Sequence, residues 1–378
     1  MVASICHARE VAKREPTILG REGLSALLDT LRANGYQLVG PVVRAGAIAY
    51  EAIAGLDDLP AGWSDSQEPG RYRLSRNDSP ALFAYTVGPQ SWKKFLPGAV
   101  TTLWQAKRQP DGGFVIAEPP TAAGNYAFIG VRPCELAAIS IQDRVLQGGE
   151  YCSTAYLARR QKNFLLAVNC TRPGGTCFCH SWGTGPKASA NFDLVLTELL
   201  SPPGQRFLLE IGSATGAEIA VQIPQQIASP HELAESAQLL ERASHQMGRT
   251  LATAGVKELL ARNIEHPHWE SVAERCLGCA NCTMVCPTCF CTTLSDTTNL
   301  TGDQAERVAS WDSCFTLAYS YLHGGSVRSS RQARYRQWLT HKLSNWFAQF
   351  GEAGCVGCGR CITWCPVGID LTAEVGAL

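Results

Sequence analysis

The sequence predicts an α/β domain with a mainly parallel sheet, followed by a helical domain organised by cysteines. Three observations lead there. Strand-length apolar segments flank a helix between residues 126 and 196, a helix-start signal stands at Ser229, and two runs of four cysteines close the chain.

At 378 residues the chain exceeds what one core usually fills, and two domains are expected, 1–250 and 251–378. Apolar residues make up 45% and charged residues 17%, the composition of a folded globular chain. Lys plus Arg number 33, as do Asp plus Glu. That balance provides no field for nucleic acid or an anionic membrane, and neither is expected as a partner. Met1–Pro16 is polar, and no apolar run reaches the roughly eighteen residues of a membrane span. The 17 cysteines therefore read as metal ligands in a reducing, cytoplasmic setting, not as disulfides of an exported chain.

Arg21–Asn34 has Leu24, Leu27, Leu28 and Leu31 at helical spacing, with Gly35 as its stop. Tyr36–Val43 reads as a strand, and the Gly-, Pro- and Asp-rich stretch Glu51–Ser91 as short strands and loops. Tyr126–Val131 is the next strand, Arg132–Cys134 a loop and Glu135–Leu146 a helix. Asn163–Asn169 and Phe192–Leu196 follow as strands. This βαβ order implies parallel pairing, with function at the carboxyl ends of the strands, where Cys134 and Cys170 fall. Ser229-Pro230-His231-Glu232 is a capping box that opens helices through Arg262. A long helix is expected over Arg331–Phe350, its stripe of Tyr335, Trp338, Leu339, Leu343, Trp346, Phe347 and Phe350 facing a core. The basic run Arg328, Arg331, Arg334 and Arg336 reads first as a solvated face, with balancing of cluster charge or docking of an acidic partner as alternatives.

Cys276, Cys279, Cys282 and Cys286, then Pro287, form the first motif. Cys355, Cys358, Cys361 and Cys365, then Pro366, repeat it. This is the bacterial [4Fe–4S] run, in which the fourth thiolate ligates the other cluster. Three thiolates two residues apart on a tight loop reach three corners of one cube, while the fourth points to the neighbour. The crossed assignment is Cys276, Cys279, Cys282 and Cys365 for one cluster, and Cys355, Cys358, Cys361 and Cys286 for the other. Gly278, Gly357 and Gly359 sit where backbone must approach closely and donate N–H bonds. Structural zinc is the bland alternative, but it prefers two separated CxxC pairs. Residues 287–354 separate the motifs by more than a small ferredoxin needs, so the domain is expected to be of the α-helical ferredoxin type, a 4Fe-4S dicluster domain.

Cys134, Cys170, Cys177 and Cys179 are expected to converge at one sheet edge around a third [4Fe–4S] cluster, with zinc or inert buried thiols as alternatives. Cys289, Cys291 and Cys314 stay open between redox-active thiols near a cluster and plain packing, and Cys6 and Cys152 have no pattern. His266 and His268 read as a surface or helix-start pair.

Gly130-Val131-Arg132-Pro133-Cys134-Glu135-Leu136, Asn169-Cys170 through Cys177-Phe178-Cys179, Cys286-Pro287-Thr288-Cys289, Trp311-Asp312-Ser313-Cys314 and Cys355-Val356-Gly357-Cys358-Gly359-Arg360-Cys361 follow one another in this order. In that order the chain resembles the beta subunit of cytoplasmic NAD(P)-linked nickel–iron hydrogenases, the sulfhydrogenases, and is similar to the electron-relay subunit of anaerobic sulfite reductase. The resemblance spans Tyr126–Ile369 and is weak before residue 60. It implies a non-catalytic electron-transfer subunit beside nickel–iron small and large subunits and a flavin/NAD(P)-binding subunit, and it supports the third cluster.

No GxGxxG or P-loop is present, so neither NAD nor ATP is expected by those routes, and no CxxCH is present for haem. The competing expectations are a relay for sulfite reduction, a stand-alone iron–sulfur enzyme using the Cys134 site, and a redox sensor. Reduction potentials, stoichiometry and the physiological donor lie beyond sequence.

Overall fold

The computed structural model describes residues 14–118 and 124–378; Cys6 lies outside them. In chain order the strands are β1 (Thr17–Leu19), β2 (Gln37–Arg44), β3 (Ala47–Ala52), β4 (Trp63–Glu68), β5 (Arg71–Arg76), β6 (Val100–Arg108) and β7 (Phe114–Ala117). They continue with β8 (Tyr126–Val131), β9 (Phe164–Val168), β10 (Leu194–Leu199), β11 (Arg206–Ile211), β12 (Gln226–Ile227), β13 (Thr292–Thr298) and β14 (Gln304–Trp311).

The main sheet has eight strands in the order β12-β1-β11-β10-β9-β8-β2-β3. Its middle is parallel, with β2 beside β8, β8 beside β9 and β9 beside β10. Both flanks are antiparallel, so the sheet is mixed where a mainly parallel one was expected. Short connections account for β2 with β3 and β10 with β11, because only antiparallel neighbours can be joined by a tight turn, while β1 enters between β11 and β12 from the far end of the chain. Ala45 and Gly46, at φ 48° and 74°, turn β2 directly back into β3.

Residues alternate across this sheet and both faces are covered. Ala127, Ile129, Phe164, Leu166, Val168, Leu194 and Leu196 share a core with Leu24, Leu27, Leu28 and Leu31 of the helix Arg21–Ala33. Phe128, Leu165, Ala167 and Val195 point the other way, onto Leu136 and Ile139 of the helix Pro133–Gln147 and onto Tyr156 and Trp92. Burial on both faces explains why β8 and β9 are continuous apolar runs.

The C-terminal region is helical around a second core, in which Trp269, Val272, Phe315, Tyr335, Trp338, Leu339 and Leu343 pack beside Cys276 and Ile362. The expected stripe on Arg331–Phe350 is thus core-facing. The helix itself is interrupted: Arg331–Thr340 is α-helical, His341–Asn345 forms a π turn, and Trp346–Phe350 resumes the α-helix. Arg334 departs from a solvated face, being 7% exposed and donating to the Arg328 and Ser329 carbonyls. Arg336 pairs with Glu265 at 3.2 Å.

The insert between the cysteine motifs is not purely helical. It contributes β13 and β14 to a second, four-stranded antiparallel sheet in the order β13-β14-β6-β7. The N-terminal and C-terminal regions therefore share a sheet, a long-range pairing without a local sequence signal. Among the described residues no helix is long and apolar enough to cross a membrane.

Candidate metal centres

Each cysteine set is placed by a backbone device. At the end of β8 the register against β9 shifts between Ile129 and Val131, with Gly130 at φ 80°. A Cβ there would stand 3.2 Å from the Phe83 ring, so the bulge needs glycine. The bulge delivers Arg132 as the N-cap of a helix with Pro133 and Cys134 in its first turn. Cys170 follows β9 directly, its N–H bonded to the Pro186 carbonyl at 3.0 Å. Cys134 and Cys170 thus lie at the carboxyl ends of neighbouring parallel strands, as the βαβ pattern predicts. Cys177 and Cys179 come from the following loop and are buried with Cys134.

These four thiols lie in one electrostatic neighbourhood. Burial raises the Cys134 thiol well above its ordinary range, and Cys179, Cys358 and Cys170 add to the shift. Burial likewise raises Cys179, with Cys177, Cys170 and Cys358 behind it, and pushes Cys177 up to about 12. The Arg132 guanidinium lies 3.8 Å from the Cys170 sulfur and donates to the Phe83 and Tyr85 carbonyls at 2.9 and 2.7 Å. A fixed buried cation beside a thiol favours thiolate, the form that binds metal.

The two repeated motifs interleave. Cys276, Cys279, Cys282, Cys361 and Cys365 line one apolar hollow with Phe315, Tyr335 and Trp338. Burial raises Cys282, and Cys276, Cys365 and Cys279 are the charges felt next. Burial also raises Cys361, followed by Cys355, Cys358 and Cys286. Cys365 lines the hollow of the first motif, and Cys286 lies 3.1 Å from Thr288, whose hydroxyl donates to the Gly354 carbonyl beside Cys355 at 2.8 Å. Backbone donors meet the sulfurs: Gly278 N–H to Cys276 at 3.4 Å, Gly357 N–H to Cys355 at 3.5 Å and Ile369 N–H to Cys365 at 3.3 Å. Bonds of this kind stabilise thiolate and tune a bound cluster.

Gly357 and Gly359 have a further role. At φ 61° and 73°, each presses against the loop that carries the Cys134 set. A Cβ on Gly357 would fall 2.6 Å from the Phe178 and Cys179 backbone, and one on Gly359 would collide with Thr176. Phe178 N–H donates to the Gly357 carbonyl at 2.8 Å, and the Cys177 sulfur lies 3.8 Å from the Cys358 carbonyl. Cys358 is consequently the neighbour through which the Cys134 set meets the second motif.

Glu135 and Arg360 form a buried pair beside the cysteine sets, to which sequence reasoning gave no role. Glu135 accepts from Tyr50, Trp92 and the Arg132 N–H at 2.7, 3.1 and 3.4 Å, and from Arg360 at 2.5 Å. The signal was present, since Glu135 follows Cys134 and Arg360 precedes Cys361. Of the cysteines left open, Cys289 neighbours the Cys286 thiol and is raised by it, and Cys291 neighbours Cys314 and is lowered to about 6. Cys152 is exposed, beside the Gln147 carbonyl. His268 starts a helix and meets Glu374 at 2.7 Å.

The donor set fits [4Fe–4S] groups. Among the described residues no three His, Cys, Asp or Glu side chains close on one point as a single ion requires. The thiols of the first motif, with Cys361 and Cys365, are instead spread around the walls of one hollow, as a multi-iron cube and not a single ion demands. Comparisons with known proteins agree. Residues 275–369 match a family described as a 4Fe-4S dicluster domain. The chain is 33% identical over 252 residues to sulfhydrogenase 2 subunit beta of Pyrococcus furiosus, an alignment covering 65% of this chain and 72% of that protein.

Proposed function

The chain belongs to the family of sulfhydrogenase beta subunits, and from that premise we propose that it relays electrons, without catalysing a reaction itself, between the small and large subunits of a nickel–iron hydrogenase and a flavin/NAD(P)-binding subunit. One observation carries this: the three cysteine sets are contiguous, the Cys177 sulfur lying 3.8 Å from the Cys358 carbonyl and Cys361 of the second motif lining the hollow of the first.

When bound, [4Fe–4S] groups supply one-electron oxidation and reduction. The chain's residues do the rest. In this reading Cys276, Cys279, Cys282 and Cys365 hold one cluster, and Cys355, Cys358, Cys361 and Cys286 a second. Cys134, Cys170, Cys177 and Cys179 hold a third. Backbone N–H groups and buried aromatic walls keep water from the sulfurs and fix their geometry. At one end Cys279 is exposed beside Leu277 and Val367, which are 59% and 40% exposed, and this is where a partner would take or give electrons. The dicluster-bearing unit is taken as residues 251–378, the α-helical ferredoxin type, joined to 1–250 through the shared sheet. All described cysteines are free thiols, which suits a reducing, cytoplasmic compartment.

Anaerobic purification of the tagged chain from its own cells, with nickel, flavin, iron and sulfide measured in the recovered complex, tests the proposal. Nickel and flavin should co-purify, with about twelve iron atoms in the isolated chain, four per cubane. Sirohaem in place of nickel would favour the sulfite-reducing reading, and about eight iron atoms would remove the third cluster.

A further inference from the structure

Two lysines are buried beside the second cysteine set without a carboxylate. Lys342 is 5% exposed and Lys93 6%. Among the described residues the lysine that is ion-paired to a carboxylate is Lys187, with Glu210 at 3.9 Å. An ammonium taken out of water costs several kcal/mol unless an opposite charge answers it. The Lys342 ammonium donates to the Thr288 hydroxyl at 2.7 Å and the Gly354 carbonyl at 2.9 Å, both neutral. The opposing groups around it are the Cys286, Cys289 and Cys355 thiols. Thr288 in turn lies 3.1 Å from the Cys286 sulfur.

The backbone is built to put it there. Lys342 lies in the π turn His341–Asn345, an insertion that breaks helical periodicity and turns Lys342, Leu343 and Ser344 all inward. π turns inside α-helices are frequent at functional sites. The Lys342 carbonyl accepts the Gly354 N–H at 2.7 Å, tying the turn to the residue before Cys355. Lys93 stands behind it, donating to the Cys289 carbonyl at 3.1 Å and lying 4.3 Å from the Trp311 ring centre.

We propose that Lys342 is the fixed counter-charge of the second cluster, a positioning residue that acts through Cys286 and Cys355 to raise that cluster's reduction potential above its neighbours'. The inference rests on the reading in which Cys286, Cys355, Cys358 and Cys361 hold that cluster. Net charge and hydrogen bonds to sulfur are the levers that set such potentials. Each added electron makes the thiolate cluster more negative, so a buried ammonium favours the reduced state. The other sets have different compensation. Arg132 serves the Cys134 set, Arg360 is answered by Glu135 where that set meets Cys358, and Arg331 touches the first motif by way of the Cys276 carbonyl at 3.0 Å.

The test uses the full chain, loaded anaerobically, as K342M and K342R. Iron is counted first and each cluster is then titrated by EPR. In K342M the reduction constant of the second cluster should fall at least tenfold, 59 mV for one electron, while K342R stays within threefold of wild type. A lysine that merely staples Thr288 to Gly354 would lower iron content or stability and leave the midpoint in place. An unchanged midpoint in loaded K342M overturns the proposal. If K342M does not load, K93M should show a smaller shift of the same sign, and its absence overturns the proposal equally. A wild-type chain that never fills the second set would sink the functional reading instead.

Discussion

Arg360 and Glu135 face each other at 2.5 Å, and each is 1% exposed. Arg360 stands inside the second cysteine motif and Glu135 one residue after Cys134, so the pair joins the two regions of the chain between two metal-binding sets. Arg360 also donates to the Gly88 and Gln90 carbonyls at 3.0 and 3.1 Å. Every oxygen of Glu135 is answered, while the Arg360 Nη1 is buried without a hydrogen-bond partner.

Removing one partner should therefore be severe. E135L or R360M alone is expected to cost about 3–5 kcal/mol, because each leaves an unanswered buried charge. The double variant E135L/R360M should recover part of that loss. Denaturant unfolding of the four proteins closes the cycle, and strictly additive losses would mean the two residues do not interact.

Gly357 should be intolerant for reasons of both conformation and space. G357A places a non-glycine residue in the left-handed region, costing about 1–3 kcal/mol, and forces the Cys177–Cys179 loop away. Iron content should fall at the Cys134 set. G351A is the control: its φ is 76°, but nothing lies within 4 Å of its added Cβ. It should lose stability and keep its iron. Equal iron loss in both would show that strain alone, not contact, governs the loop.

The crossing of the fourth cysteines makes an unusual prediction. C365S should erase the EPR signal of the cluster on the Cys276 loop, although Cys365 belongs to the other motif. C286S should do the reverse. If each substitution struck its own motif's cluster, the interleaved arrangement would be wrong.

The metal-free protein should lose stability in alkali. Cys177 and Cys355 are pushed up to about 12 by burial, against 9.0 for a free thiol. Between pH 9 and 12 the unfolded chain has released these protons and the folded chain still holds them. The unfolded state then binds fewer protons, so stability falls as pH rises through that window and is fully present below pH 9. In the loaded protein the thiolates are already deprotonated, and the loss should be absent. Melting temperatures of both forms at pH 7, 9 and 10.5 check this.

Much of the site was readable because its signals are local. Eight cysteines and their following prolines sit at fixed spacing, and Gly130 through Leu136 carries strand, turn and helix start within a few residues. The helix Arg21–Ala33 and the capping box at Ser229, where the hydroxyl accepts from Glu232 at 3.3 Å, were equally plain. Other features had no local trace. The antiparallel flanks of the main sheet depend on which strands meet across the chain. The pairing of β14 with β6 joins residues some two hundred positions apart. The inward turn of Arg334 and Lys342 depends on what the helix packs against.

By itself the sequence determined that this chain binds iron–sulfur clusters, that its C-terminal region is organised by two repeated motifs, and that Cys134 and Cys170 end neighbouring strands. These are properties of spacing and periodicity, which act over a few residues. The crossing of Cys365 and Cys286 is likewise an expectation of the repeated motif, and the tertiary structure decided what surrounds the sets. It alone brought the Cys134 set against Cys358, buried Arg360 on Glu135, and set Lys342 on Thr288 and the Gly354 carbonyl. Such contacts unite residues far apart in the chain, and they are chosen by which partners satisfy a buried charge or fill a close approach, a selection no single segment can make alone.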